Sequence, residues 1–267
     1  MSDLLTQMKG TSWRRCRGAI LREPPSALRD RALSTPLPPR WTSSGFDVIA
    51  EIKLTSPSEG ALARLDEDQI ATRAQTYARA GASAVSILTE PDRFGGQLQH
   101  LASGAANLPV PAMRKDFLVD PYQVWEARAA GAGGVLLIAT LLDDDTLRAL
   151  LVAAAEAGLF ALIEAFDADD LRRSAAALDD APEGTWLVGV NTRDLRTLRV
   201  VPDRLARMAE YLPDGVQAVA ESGMTTPEDV ARAAALGYRA ALVGTALMRA
   251  PDPGTLVAAM REAGTSA

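Results

Sequence analysis

Glu51 and Lys53 stand two residues apart in the run D-V-I-A-E-I-K (47–53). A strand alternates its side chains between faces, so both project to the same side. An acid and a base held together can exchange protons, or can merely neutralise each other as a buried pair. Burying charge is costly, and a pocket that uses it is the better reading. The same alternation groups Lys115 with Met113 and Phe117 in M-R-K-D-F, and Glu164 with Leu162 in L-I-E-A. Lysine itself is informative. Of 28 basic residues only Lys9, Lys53 and Lys115 are lysines. Arginine cannot release its proton in a protein, whereas a buried lysine can, so lysine at 53 and 115 points to proton transfer. Lys9 belongs to no such pattern and reads as incidental.

Other residues suit binding. In G-V-N-T-R-D-L, Asn191 ends a strand-like run and Arg193 follows, a guanidinium able to hold a carboxylate through two hydrogen bonds. In A-E-S-G-M-T-T-P-E-D, Glu221 points with the inward set and Ser222-Gly223 makes a tight loop. Thr226, Pro227 and Asp229 then read as N-cap, first helical position and N3 acid. Gly244 and Thr245 in V-G-T-A-L-M open a short helix whose N–H groups would face an anion. The turn Ser56-Pro57-Ser58 presents hydroxyls after the first run.

Eight aliphatic runs position these groups: 47–53, 83–89, 110–115, 134–139, 160–165, 186–191, 216–221 and 240–244. Each is followed by a turn and an alanine- and leucine-rich segment with helical charge spacing. Their ends lie roughly two to three dozen residues apart, the room a strand-helix unit needs, and eight units fit a (β/α)8 barrel. An open doubly wound sheet is the structural alternative. Lys53, Thr89, Lys115, Asn191 and Glu221 end their runs, and Glu164 is one place inside its own. This is the rim where such barrels carry their chemistry, although strands often finish in polar residues for solvent alone. Residues 47–267 are therefore expected to form the barrel. Residues 1–46 are expected to form an extension packed on it, with short helices around L-L-T-Q-M and P-S-A-L-R-D-R-A-L and a loop through S-T-P-L-P-P-R-W.

Composition narrows the chemistry. With 48% hydrophobic and 23% charged residues in a chain of 267, one large folded core is expected. One histidine, His100, and one cysteine, Cys16, rule against a histidine-rich metal site, a Ser-His-Asp triad and an internal disulfide. A net charge of −6 argues against a nucleic-acid surface, and no apolar run suits a membrane span. A cytoplasmic monomer that uses no metal or cofactor is expected.

From A-E-I-K-L-T-S-P-S-E-G through S-I-L-T-E-P-D-R-F-G-G, M-R-K-D-F-L-V-D-P-Y-Q-V-W-E-A-R-A-A-G-A, L-I-E-A, G-V-N-T-R-D-L-R-T-L, A-V-A-E-S-G and A-L-V-G-T-A-L-M, the chain resembles the indole-3-glycerol phosphate synthase family, in order over about 47–250. The resemblance implies ring closure of 1-(2-carboxyphenylamino)-1-deoxyribulose 5-phosphate with loss of CO2 and water. It implies Lys115 as general acid at the ketone, and Glu164 exchanging protons with the departing hydroxyl and the ring nitrogen. Glu51, Lys53 and Asn191 complete the network, with Glu221 supporting it. Phosphate is implied against Gly223, Gly244 and Thr245, with Ser222 beside them and Lys53 near. Arg193 and Ser56 are implied to hold the anthranilate carboxylate, and Phe94, Phe117, Leu136 and Leu195 to wall the ring. Plain core packing is an alternative for the last four, above all for the two leucines. The chain departs from the family at Leu54, where a basic residue is common, at Gly133-Gly134 in place of Asp-Ala, and at Ala165-Phe166 in place of Val-His. Two other functions remain open. A phosphoribosylanthranilate isomerase-like barrel would need a catalytic cysteine and aspartate, yet Cys16 lies outside the repeat. A noncatalytic anion-binding barrel would have no use for so many acid and base groups.

Overall fold

The structure, a computed structural model, describes residues 3–194 and 197–267. Eight parallel strands close a barrel in chain order: β1 (Asp47–Ile52), β2 (Ala84–Leu88), β3 (Ala112–Lys115), β4 (Gly134–Ile138), β5 (Phe160–Ala165), β6 (Trp186–Asn191), β7 (Gln217–Glu221) and β8 (Ala240–Val243). The open-sheet alternative is excluded because β8 pairs with β1, Asp47 opposite Ala240. Strand β3 begins at Ala112, later than its aliphatic run, since Pro111 has no N–H to give the ladder. Helices cover the outside, and several start as their sequences demand. Thr226 accepts from the Asp229 N–H while the Asp229 carboxylate accepts from the Thr226 N–H, closing a capping box ahead of Pro227.

The first helix differs from expectation. It runs from Asp3 to Arg22, far beyond L-L-T-Q-M, and is followed by a second helix, Pro25–Ser34. Its buried stripe is Leu5, Met8, Ser12, Cys16 and Ala19, a helical spacing that includes a serine and a cysteine. Gly10, Gly18 and four arginines obscure that stripe, and tertiary contacts decide the helix length rather than propensity. Ser12 donates to the Phe117 carbonyl and accepts from Gln123 Nε2 at 2.9 Å. Lys9 Nζ donates to the Leu141 carbonyl at 2.9 Å, so this lysine anchors the helix to the barrel.

The two barrel ends divide the work. At the N-terminal end Asp47 accepts hydrogen bonds from Ser43 Oγ and Ser83 Oγ, both 2.6 Å, and from Gln217 Nε2. Gln217 in turn accepts from Trp41 Nε1, and the Trp41 and Phe160 rings lie 5.2 Å apart. The Phe160 ring crosses Gly134, where a Cβ would collide with it, which accounts for glycine at that position. These contacts plug the bottom of the barrel and leave the opposite rim for chemistry. Among the described residues, no helix is long and apolar enough to cross a membrane.

Candidate active site

The C-terminal rim surrounds a cavity of about 1090 Å³. Fifteen of the sixteen site residues expected from sequence line it; Leu195, the other, lies outside the described residues. Pleating explains the convergence: the inward residues of β1, β3, β5, β6 and β7 end in Glu51, Lys115, Glu164, Asn191 and Glu221, with Lys53 just beyond β1. Lys53 Nζ lies 2.8 Å from Glu51 Oε1, and Lys115 Nζ lies 3.6 Å from Glu164 Oε2.

Three buried carboxyl groups and two ammonium groups share this space, and their fields decide the protonation states. Burial opposes the charge on Glu51, but Lys53, Lys115 and Arg193 together outweigh it and hold the carboxylate below its ordinary range. Burial alone would lower the pKa of Lys115. The carboxylates of Glu164, Glu51 and Glu221 win over it and raise that pKa above the usual lysine value. Lys115 thus carries its proton throughout the neutral range. Glu221 shifts the other way, well above the carboxylate range, chiefly through burial and then through Glu164.

The binding residues form walls around this cluster. Phe94 and Phe117 face each other at 6.2 Å, and Leu136 is both buried in the core and exposed to the cavity. Ser56 Oγ lies 3.0 Å from Ser58 Oγ in a small hairpin, Thr55–Ser56 with Gly60–Ala61. Arg193 Nη1 donates to the Leu198 carbonyl at 2.7 Å and to Ser58 Oγ at 3.1 Å, so its guanidinium is partly occupied by the protein's own loops. Asn191 Oδ1 accepts from the Arg193 N–H at 2.9 Å, which leaves its amide N–H groups for other partners. Ser222 adopts a left-handed backbone, φ 64°, ahead of Gly223 at φ 74°. Strain of this kind in a non-glycine residue gathers at functional loops. Gly244 precedes the short helix Thr245–Arg249, which has no side-chain cap, and Gly244, Thr245 and Ala246 at its start line the cavity.

Sequence reasoning missed three contributors. Gly189 lies on β6 beneath the Glu221 carboxyl, where a Cβ would come within 2.9 Å of the Glu221 Cδ. Glycine inside W-L-V-G-V-N was the available signal, since such a residue marks close approach. Arg249 pairs with Glu59 at 2.7 Å across the mouth, and nothing distinguishes it among 25 arginines. Arg15 of the N-terminal helix grips Asp116, the residue after Lys115, through both terminal nitrogens at 2.9 and 2.7 Å. Asp116 also accepts from Thr89 Oγ1 at 2.8 Å, from Arg114 Nη2 at 3.2 Å and from the Phe117 N–H at 2.8 Å. Burial raises the Asp116 pKa, but these partners outweigh it and bring it to about 2.

The Asp116 clasp has a stability consequence. Arg15→Gln is expected to lose about 2 kcal/mol, the scale of hydrogen bonds to a charged group. An unfolded aspartate titrates near about 4 and the folded one near 2. Its stabilisation is therefore full above the unfolded value and is lost as pH falls from about 4 towards 2. Urea midpoints of parent and Asp116→Asn should differ most at pH 6, and the gap should narrow below about pH 4 and close only towards pH 2. A gap that widens on acidification contradicts this account.

The indole-3-glycerol phosphate synthase family model matches residues 27–260. An indole-3-glycerol phosphate synthase of Nocardioides sp. is 48% identical over 215 residues, covering 80% of each chain. One of Albidiferax ferrireducens is 39% identical across 97% of this chain and 98% of its own. Among solved structures, 3-hexulose-6-phosphate synthase from Salmonella typhimurium superposes with a TM-score of 0.64 at 16% identity, covering 82% of this chain and 99% of that one, a likeness of fold alone. Matching over most of its length in both comparisons, the chain belongs to the indole-3-glycerol phosphate synthase family, the decarboxylating lyases of tryptophan biosynthesis.

Proposed function

We propose that the rim cavity closes the indole ring of 1-(2-carboxyphenylamino)-1-deoxyribulose 5-phosphate. One observation carries this reading: a charged lysine, Lys115, is held among buried carboxyl groups beside an aromatic wall in a single pocket. The ring carbon bearing the carboxylate attacks the ketone carbon, and the carbonyl π pair moves to oxygen. Lys115 gives that oxygen its proton as charge develops. An ammonium fixed in a largely dry pocket stabilises an alkoxide far better than one in water. The bond to the carboxylate then breaks, its electron pair restores the aromatic ring, and CO2 leaves. In the second half the new hydroxyl departs as water and the carbon beside nitrogen loses a proton, completing the indole. Glu164 serves the departing hydroxyl and the ring nitrogen. Glu51, Lys53 and Asn191 hold and exchange protons around them.

In this reading Phe94, Phe117 and Leu136 wall the anthranilate ring, and Arg193 and Ser56 hold its carboxylate. Arg193 would exchange its Leu198 and Ser58 partners for that carboxylate, a better match for a guanidinium fork. Phosphate lies against Ser222, Gly223, Gly244 and Thr245, with Lys53 near. The first test is turnover: indole fluorescence should appear when purified protein meets the substrate. Binding by titration calorimetry without product would instead favour a noncatalytic anion-binding barrel.

Proton transfer by side chains alone needs no metal. Among the described residues no group of three or more His, Cys, Asp or Glu is arranged to hold one. EDTA should leave kcat unchanged within about twofold, a change under ~0.5 kcal/mol in barrier. Loss of activity restored by Mg²⁺ or Zn²⁺ would overturn the side-chain mechanism. We also propose that the protein works as a cytoplasmic monomer, since one chain supplies the whole cavity and Cys16 is a free, buried thiol suited to a reducing compartment. Light scattering of the purified protein tests the monomer.

A further inference from the structure

A carboxylate paired with an ammonium has no proton to give, yet departure of the hydroxyl demands one. Glu164, beside Lys115, is in that position. Glu164 on β5 and Glu221 on β7 are separated by strand β6, and the β6 residue in register with Glu164 is Gly189. A side chain at 189 would take the space of the Glu221 carboxyl, its Cβ colliding with Glu221 Oε1. Its absence lets Glu221 lie directly over the Gly189 backbone. Both acids are buried, with relative exposures of 2% and 1%. Among the described residues neither Glu221 oxygen has a hydrogen-bond partner, and Glu164 Oε2 faces Lys115 Nζ at 3.6 Å. A buried carboxylate without a donor is costly, and a proton kept on Glu221 removes that charge and supplies a hydrogen that a neighbouring carboxylate can accept.

We propose that Glu164 and Glu221 share one proton across the Gly189 gap, and that this proton, held on Glu221 in the resting site, is the one Glu164 delivers to the departing hydroxyl. The delivery step rests on the ring-closing function proposed above. The groups facing Glu221 are Glu164 from β5, Lys115 from β3, Glu51 from β1 and Asn191 from β6, the last in register with it. Lys115 favours ionisation, whereas burial and the two glutamates oppose it and prevail. Glu221 is thus the one of the two acids that is pushed towards its neutral form, while Glu164 faces the Lys115 ammonium.

The step balances. Glu221 passes its proton to Glu164, and Glu164 then gives that proton to the hydroxyl oxygen. The C–O bond breaks, its electron pair leaves with water, and electrons from the ring nitrogen compensate the carbon. The neighbouring carbon then loses a proton, and the pair regains one. Ring closure and CO2 loss draw on Lys115 and do not use the stored proton, so the two halves of the reaction should separate when Glu221 is changed.

Infrared spectroscopy of the substrate-free parent near neutral pH should show the carbonyl stretch of a buried neutral carboxylic acid, absent in Glu221→Gln. In single turnover the variant should release CO2 within about threefold of the parent rate. Indole formation should fall by about 10²-fold, the lower range for general acid catalysis, with the hydroxylated ring intermediate accumulating. Glu221→Asp, which keeps a proton, should recover part of the loss. The high-pH decline of the parent's dehydration rate should disappear in Glu221→Gln. Equal slowing of CO2 release and indole formation, or an unchanged pH profile, overturns the delivery role. Should the variant fail to fold, the parent decides: no acid carbonyl band at neutral pH overturns the shared proton. A parent that shows the band but makes no product overturns the ring-closing function and the delivery step, and leaves the shared proton standing.

Discussion

Lys115→Arg is expected to fold normally and to lose about 10²- to 10⁴-fold in kcat, the span that general acid catalysis typically supplies. The substitution preserves charge beside Glu164 and changes only the ability to release a proton, because a guanidinium with a pKa above about 12 stays charged throughout the cycle. Substrate affinity should change much less, since the proposed phosphate loops after β7 and β8 are untouched. The surrounding carboxylates already keep Lys115 protonated, so the acid is fully loaded before substrate arrives. Lys9→Arg is the control. It keeps a donor able to reach the Leu141 carbonyl and should be nearly silent. A folded Lys115→Arg protein with kcat within a few-fold of the parent would remove lysine as the acid and return Glu164 or Lys53 as the leading candidate.

Replacing Gly244 by valine is expected to have the next largest effect. From sequence, the glycine was needed to let the backbone approach an anion, which predicts a rise in KM. The structure adds a second cause. A Cβ at 244 would collide with Glu51 Oε1 and come within 2.9 Å of Lys53 Nζ, so the variant must push apart the Glu51–Lys53 pair. KM should rise at least about tenfold, corresponding to about 1.4 kcal/mol of lost binding. kcat should fall as well, by up to about 10²-fold, as expected when reacting groups move by about 1 Å. Gly133→Val is the comparison. There a Cβ meets Pro111 Cβ at 2.6 Å and the Pro39 carbonyl at 2.9 Å, away from the cavity. That overpacking should cost about 1–3 kcal/mol of stability and leave the kinetics of the folded fraction unchanged. Equal KM changes in the two variants would sink the anion-site assignment.

The positions that were legible in advance share one property: their information is local. Eight aliphatic runs announce eight strands because burial on both faces of a parallel sheet leaves a continuous apolar signature. Glu51 with Lys53, and Lys115 with Phe117, were assignable to the inner face because pleating has a period of two whatever the strand pairs with. The Thr226–Pro227–Asp229 start was readable because a capping box is closed within four residues. The N-terminal helix was not, since its buried stripe runs through Ser12 and Cys16 and is held by Phe117, Gln123 and Asp116, partners about a hundred residues away.

The amino-acid order by itself therefore determined the barrel, the rim on which its acids and bases stand, and the placing of lysine rather than arginine at 53 and 115. Tertiary structure decided which of those groups meet. Glu164 and Glu221 become neighbours through the pairing of β5, β6 and β7, in which Gly189 stands opposite Glu164 and leaves room for the Glu221 carboxyl. It also decided their charges. The pKa of Lys115 rises and that of Glu51 falls because each carries the summed field of groups on several strands, whereas that of Glu221, buried beside a second carboxyl, rises well above the carboxylate range. Alternation along a strand is a property of adjacent residues. Desolvation and Coulomb energy depend on distances between strands, which exist only once the barrel has closed.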